Sequence, residues 1–181
     1  MDAYYKNLYA LVVDDPSNAD IYDNRGIGDV KGVDFSVRKD LGDGFFAWLT
    51  YSHSDSEELT LPGQAWGLYP YDQPDILNLV SSYSPSRRWT FGAKFRFNSG
   101  NLVEAQDSDT YTQRLAPYAR LDVRAQRTWL FQDWTLDAYL EVINLLDRKN
   151  PADEFVDPST GRTTVVDDLP FLPNLGVEAK Y

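Results

Sequence analysis

The chain of 181 residues contains no cysteine, one histidine and one methionine. No disulfide or thiolate metal site can form, and a histidine-rich metal site is excluded with them. Nowhere does it hold the roughly 18 to 20 consecutive apolar residues that a transmembrane helix requires. Lysine and arginine number 17 against 28 aspartates and glutamates, for a net charge of −11. That balance argues against nucleic acid as a partner, because phosphate binding needs clustered cations. The glycines of "GDVKG" and "GDG" precede no helical pattern, so neither forms a phosphate cradle. Met1-Asp2-Ala3-Tyr4 shows no basic segment leading into an apolar one, so no export signal is visible. A mature piece, or the tail of a longer chain with its signal upstream, is the expectation.

What the chain does have is aromatic residues: 12 Tyr, 9 Phe and 5 Trp. Aromatic enrichment without long apolar runs fits the interfacial girdles of a transmembrane β-barrel. Acid gathers between the strand-like segments, at Asp14-Asp15, Glu57-Glu58, Asp107 and Asp109, Asp153-Glu154 and Asp167-Asp168. Solvated loops account for it best, with a divalent-cation surface as the other reading.

Eight segments alternate with the period of 2 that places successive side chains on opposite faces of a strand. They cover residues 4–13, 24–39, 45–54, 75–83, 89–98, 118–130, 134–147 and 172–181. The pattern is clearest late in the chain. Leu121, Val123 and Ala125 share one face while Arg120, Asp122, Arg124 and Gln126 share the other. After Gln132-Asp133 it resumes, with Leu136, Ala138, Leu140 and Val142 against Asp137, Tyr139 and Glu141. Phe91, Phe95, Leu175 and Val177 belong to the same apolar set. Asp34, Arg38, Lys94, Arg96, Glu178 and Lys180 complete the charged one. Connections alternate from long to short along the chain, as between the extracellular loops and periplasmic turns of outer-membrane barrels. Tight turns are expected at 40–44 and 84–87, long loops after 13 and over 55–73, 99–117 and 148–170, the last with a small ribbon about 157–161.

The fold class expected is therefore all-β, an antiparallel up-and-down transmembrane β-barrel of about eight strands, occupying 1–181 as one domain or barrel fragment. Alternation alone does not say which face is inside. A soluble ligand-binding barrel would bury the apolar face and wet the charged one. Strand-end aromatics, loop asymmetry and the terminal Tyr181, on one face with Leu175, Val177 and Ala179, turn the apolar face outward to lipid. The charges then face a lumen, where opposite signs satisfy one another. Eight strands could also close as a free-standing structural or adhesive barrel, by pairing 4–13 with 172–181.

Five segments carry a family likeness: "GVDFSVRKDLGDGFFAWLTYSHSDSE", "YDQPDILNLVSSY", "WTFGAKFRFNSGNLV", "RLAPYARLDVRAQRTW" and "LEVINLLDRKN". In their order and spacing, and with the aromatic-ended last strand, the chain resembles the C-terminal barrel region of TonB-dependent outer-membrane receptors. The likeness covers about Lys31 to Tyr181. It departs at Asp75, where members often carry histidine, and in lacking the family's plug domain and most of its about 22 strands. The resemblance implies the outer membrane, the lipid bilayer and the barrel assembly machinery as surroundings, with Tyr181 as the assembly signal. It implies a parent receptor that imports a scarce nutrient such as a ferric siderophore, cobalamin or an oligosaccharide. TonB contact and active import belong to the intact receptor. No cofactor and no enzymatic activity are implied.

Other chemistry is thin. His53 sits among Ser52, Ser54 and Asp55, yet a rim position near lipid headgroups describes it better than a catalytic triad. Asp137 and Glu141 read as lumen ion-pair partners rather than an acid/base couple. Trp66, Tyr69 and Tyr71 cluster in a long loop, where they could stack on a sugar or siderophore, although a girdle or loop packing explains them more simply.

Overall fold

The computed structural model describes every residue except 16, 17, 41, 61, 62, 64, 106, 107, 158 and 161, and no side chain at 14–21, 104–112, 156 or 163. The expected acidic runs at Asp14-Asp15 and at Asp107 and Asp109 therefore lie outside the described side chains. Pro16, Leu41, Pro158 and Gly161, of the expected loops and turns, lie outside the described residues. Among the described residues all regular structure is β, and no helix is long and apolar enough to cross a membrane.

Eight strands build one antiparallel up-and-down sheet. In spatial order they are β1 (Asp2–Asp15), β2 (Asn18–Asp40), β3 (Phe45–Leu59), β5 (Asp75–Ser86), β6 (Trp89–Asn98), β9 (Tyr118–Leu130), β10 (Thr135–Ile143) and β13 (Leu172–Lys180). The short β4 (Gly67–Leu68) pairs with β3. Two ribbons stand in the long connections: β7 (Leu102–Ala105) with β8 (Ser108–Arg114), and β11 (Pro151–Val156) with β12 (Thr163–Asp167). The sheet is open. Among the described residues β13 pairs only with β10, and β1 only with β2, so the pairing that a closed eight-stranded barrel needs is not made.

Register joins the alternating faces into two continuous surfaces. Directly paired residues project to the same side. One row runs Phe35, Tyr51, Leu77, Phe97, Ala119, and the next Val37, Leu49, Leu79, Phe95, Leu121. Further along the sheet, Phe91 faces Ala125, then Leu140, then Leu175. The opposite surface carries Asp34 beside Ser52, Lys94 beside Asp122, Arg124 beside Glu141, and Asp137 beside Glu178. It is not wholly polar: Phe46, Trp48, Ile76 and Val80 lie on it by register. Trp48 Nε1 donates to Ser36 Oγ at 3.1 Å, and the Arg38 guanidinium lies 5.2 Å from the Phe46 ring centre.

Four local expectations need correction. The polar stretch after residue 13 is not a loop, since β1 and β2 carry their ladder as far as Asp15 and Asn18. The next short turn falls at Arg87-Arg88, with β5 running on through a bulge to Ser86. The tenth strand ends at Ile143, where Asn144 (φ 53°) and Asp147 (φ 47°) take left-handed conformations and reverse the chain. The β7–β8 ribbon sits in what alternation alone gives as a plain loop, because its period-2 signal is short and interrupted by register shifts. At 42–44 the turn forms with φ of 70°, 44° and 75°, and Gly44 is required because a Cβ there would overlap the Ser84 carbonyl.

Candidate functional site at the loop end of the polar face

Strand ends place a cluster of polar side chains where the long connections meet the polar face. Tyr118 and Arg120 come from β9, Arg96 and Asn98 from β6, and Asp168 from the return of the last long loop. The Tyr118 hydroxyl donates to Asp168 Oδ2 at 2.7 Å, and Arg120 reaches the same oxygen at 3.2 Å. Arg120 also pairs with Asp122 at 3.1 Å. The Tyr118 hydrogen bond above all, with the Leu169 N–H and the Arg120 charge, holds the Asp168 carboxyl below its ordinary range. Arg96, Asn98, Tyr118, Arg120 and Asp168, with Gln73, Asn101 and the loop residues beside them, line a half-open pocket of about 220 Å³.

Two buried asparagines and one buried ion pair fix the loops around it. Asn144, wholly buried, donates Nδ2 to the Arg148 and Leu169 carbonyls and accepts from Arg148 N–H. Asn150 Oδ1 accepts from Ala119 N–H at 2.8 Å, and its carbonyl accepts from Asp168 N–H at 2.8 Å. Asp72, 2% exposed, takes Arg114 Nη2 on Oδ2 at 2.7 Å and Ser56 N–H on Oδ1 at 3.0 Å. Arg114 Nη1 also donates to the carbonyls of Asp72 and Gly100. One guanidinium thus ties the loop before β5 to the loop after β6. Sequence reasoning took Asp168 only as part of an acidic loop run and singled out neither Asp72, Arg114 nor Asn150, because the partners that give them a role lie 14 to 50 residues away.

The remaining sequence-picked residues distribute as follows. Asp34 bonds Ser52 Oγ, and Lys180 bridges Asp137 at 3.1 Å and Glu178 at 3.2 Å. Arg124 turns away from Glu141, placing its guanidinium 3.6 Å from the Tyr139 ring centre and donating to Gln126. Glu141, Arg38, Lys94 and Arg96 make no ion pair among the described residues, so the even charge pairing expected of this face is incomplete. Phe91, Phe95, Leu121, Val123, Ala125, Leu136, Leu140, Val142, Leu175 and Val177 share the apolar face. Leu175 is 78% and Val177 72% exposed. Tyr69 and Tyr71 meet at 5.8 Å between ring centres, with Tyr71 83% exposed, while Trp66 stacks on neither. Tyr181 stacks on Trp134, which stacks on Phe131. His53 meets Asp75 Oδ1 at 3.0 Å, and Tyr51 donates to that oxygen at 2.7 Å. Ser52 and Ser54 point to the other face, so no triad assembles about the histidine.

No family model and no curated protein matches the chain. Its structure is similar to the crystal structure of the ferric-catecholate import receptor Fiu from Escherichia coli K12, closed form, with TM-score 0.66 and 18% sequence identity. The match covers 98% of this chain and 24% of that one. The fold is all-β and antiparallel, an open sheet of the kind found in part of a larger β-barrel. At that identity the likeness speaks for the fold alone. The chain spans about a quarter of the receptor's length.

Proposed function

We propose that this chain is a section of the wall of a bacterial outer-membrane receptor, related to TonB-dependent receptors, whose whole takes up a scarce nutrient such as a siderophore, cobalamin or an oligosaccharide. The single observation that carries the reading is the largely apolar surface that register carries across the sheet from Phe35 to Leu175, with Phe35, Val37, Leu79, Phe91, Leu140 and Leu175 exposed. Water tolerates contiguous apolar patches of only a few hundred Å² on a monomer, whereas lipid requires such a band. At the short-turn end the same face carries Tyr83, Trp89 and Trp129, with Arg127 about 5 Å from both tryptophan rings. That is the composition of an interfacial girdle.

The open edges favour a part of a large barrel over a free-standing small one. An unpaired strand edge leaves N–H and C=O groups without partners, which hydrocarbon does not accept. The polar face then lines the lumen, and import depends on the plug and TonB contact of an intact receptor. Tyr181, at the girdle end of β13, suits recognition by the barrel assembly machinery. Folding into detergent followed by unheated gel electrophoresis tests the membrane assignment. Heat-modifiable migration is expected, and a monodisperse monomer in detergent-free buffer would overturn it.

A further inference from the structure

One arginine stands on the apolar face of the sheet. Arg127 of β9 shares that face with Val123, Ala125 and Trp129, and it pairs directly with Trp89 of β6. Its guanidinium lies 5.3 Å from the Trp89 ring centre and 5.1 Å from the Trp129 ring centre. Two indole faces hold the cation in place, yet a ring quadrupole carries no net charge and neutralises nothing. Among the described residues Arg127 meets no carboxylate. The neighbouring turn adds to it. Arg87 and Arg88, both exposed, join β5 to β6, and the Arg88 carbonyl accepts Thr128 N–H at 2.8 Å. That bond seats the dibasic turn against β9, one residue from Arg127. Asp40 and Asp43 lie at the β2–β3 turn and Asp133 at the β9–β10 turn, but none pairs with these arginines among the described residues. In a chain of net charge −11, three arginines thus gather at the short-turn end without a counter-ion.

A cation on a lipid-facing strand position is costly at the bilayer midplane and nearly free at the interface, where tryptophan also concentrates. At that depth the groups facing Arg127 are lipid headgroups rather than bulk water. The planar arginine fork matches the two non-bridging oxygens of a phosphodiester. A zwitterionic headgroup would bring an ammonium that three guanidinium groups repel and that no carboxylate here receives. Charge therefore selects a headgroup with a net negative sign. We propose that this patch binds the phosphodiester of an anionic phospholipid, of the phosphatidylglycerol type, in the leaflet on the short-turn side. The inference rests on the receptor reading and adds to it the lipid that this wall selects.

Native mass spectrometry of the detergent-folded full chain, titrated with phosphatidylglycerol or with phosphatidylethanolamine of the same acyl chains, tests it. Phosphatidylglycerol is expected to bind about tenfold more tightly, as clustered cations facing an anionic headgroup do. Arg127→Gln should reduce that preference several-fold, and adding Arg87→Gln and Arg88→Gln should abolish it. Arg127→Lys, which keeps the charge and loses the fork, should fall between wild type and Arg127→Gln. Lys94→Gln, which removes a cation from the opposite face, should leave the preference unchanged. Inorganic phosphate should not displace the lipid. Equal affinity for the two lipids, a preference that survives the triple variant, or displacement by inorganic phosphate would overturn the proposal. Any of these in a heat-modifiable protein would leave the receptor reading standing. A chain that is instead a monodisperse monomer in detergent-free buffer would overturn the receptor reading and the proposal with it.

Discussion

The Tyr139 ring covers Gly176 of the neighbouring strand, in the space a Cβ would occupy. The Arg124 guanidinium caps the same ring at 3.6 Å from its centre, so arginine, tyrosine and glycine stack from three adjacent strands. Glycine in a strand interior is ordinarily a weak point that alanine improves. Here the sign reverses. Gly176→Ala is expected to destabilise the sheet by about 1 to 3 kcal/mol, as overpacking does. The same substitution in a Tyr139→Ala background should be neutral or stabilising. Urea unfolding of the single and double variants in detergent reads the difference.

The two faces of the sheet should respond differently to charge. Ala125→Arg or Leu140→Arg places a cation on the exposed apolar face and should oppose insertion by about 2 to 4 kcal/mol near the bilayer midplane. Arg124→Leu, one position along the same strand, should leave insertion intact. Folding yield into lipid vesicles is the measurement, and equal damage from both faces would show the assignment of outside and inside to be reversed or void.

Arg114 holds the carboxylate of Asp72, whose side chain is 1% exposed. Removing the cation strands a buried charge, so Arg114→Met should cost about 3 kcal/mol or more. Asp72→Asn keeps an acceptor for Ser56 N–H and abolishes the charge, so it should cost less. Limited proteolysis in the loop before β5 should accelerate in the order wild type, Asp72→Asn, Arg114→Met.

Asp157, at the tip of the β11–β12 ribbon, accepts from the Ser159 hydroxyl and backbone N–H and from the Thr160 hydroxyl. Those donors, the Ser159 hydroxyl first, lower its carboxyl from 3.8 to about 2. A depressed folded-state value means that the contribution is complete above pH about 4 and fades as pH falls toward 2. Amide exchange in the ribbon should quicken over that window, and Asp157→Asn should remove the pH dependence. A carboxyl that titrates by NMR near 3.8 would refute the turn geometry.

Much of the strand layout was legible because a half-buried strand writes its two environments into alternate letters. Phe91 to Phe97, and Leu121 beside Arg120 and Asp122, needed nothing beyond the period of 2. The polar site was not legible in the same way. Asp72 and Arg114 are 42 residues apart, Tyr118 and Asp168 are 50, and no spacing rule connects them. Arg124 shows the limit most plainly: the pattern pairs it with Glu141 across the strands, whereas the guanidinium instead settles on the Tyr139 ring and Gln126.

The sequence by itself determined that the chain is β, that it runs up and down, and that one face is apolar and the other charged, since those follow from side-chain alternation and from turns placed by glycine. Only the tertiary structure decided that the sheet stays open, that the loops are pinned by Asn144, Asn150 and the Arg114–Asp72 pair, and that Arg96 stands opposite Arg120. Register and long-range hydrogen bonding are relations between distant residues, and a one-dimensional pattern does not contain them.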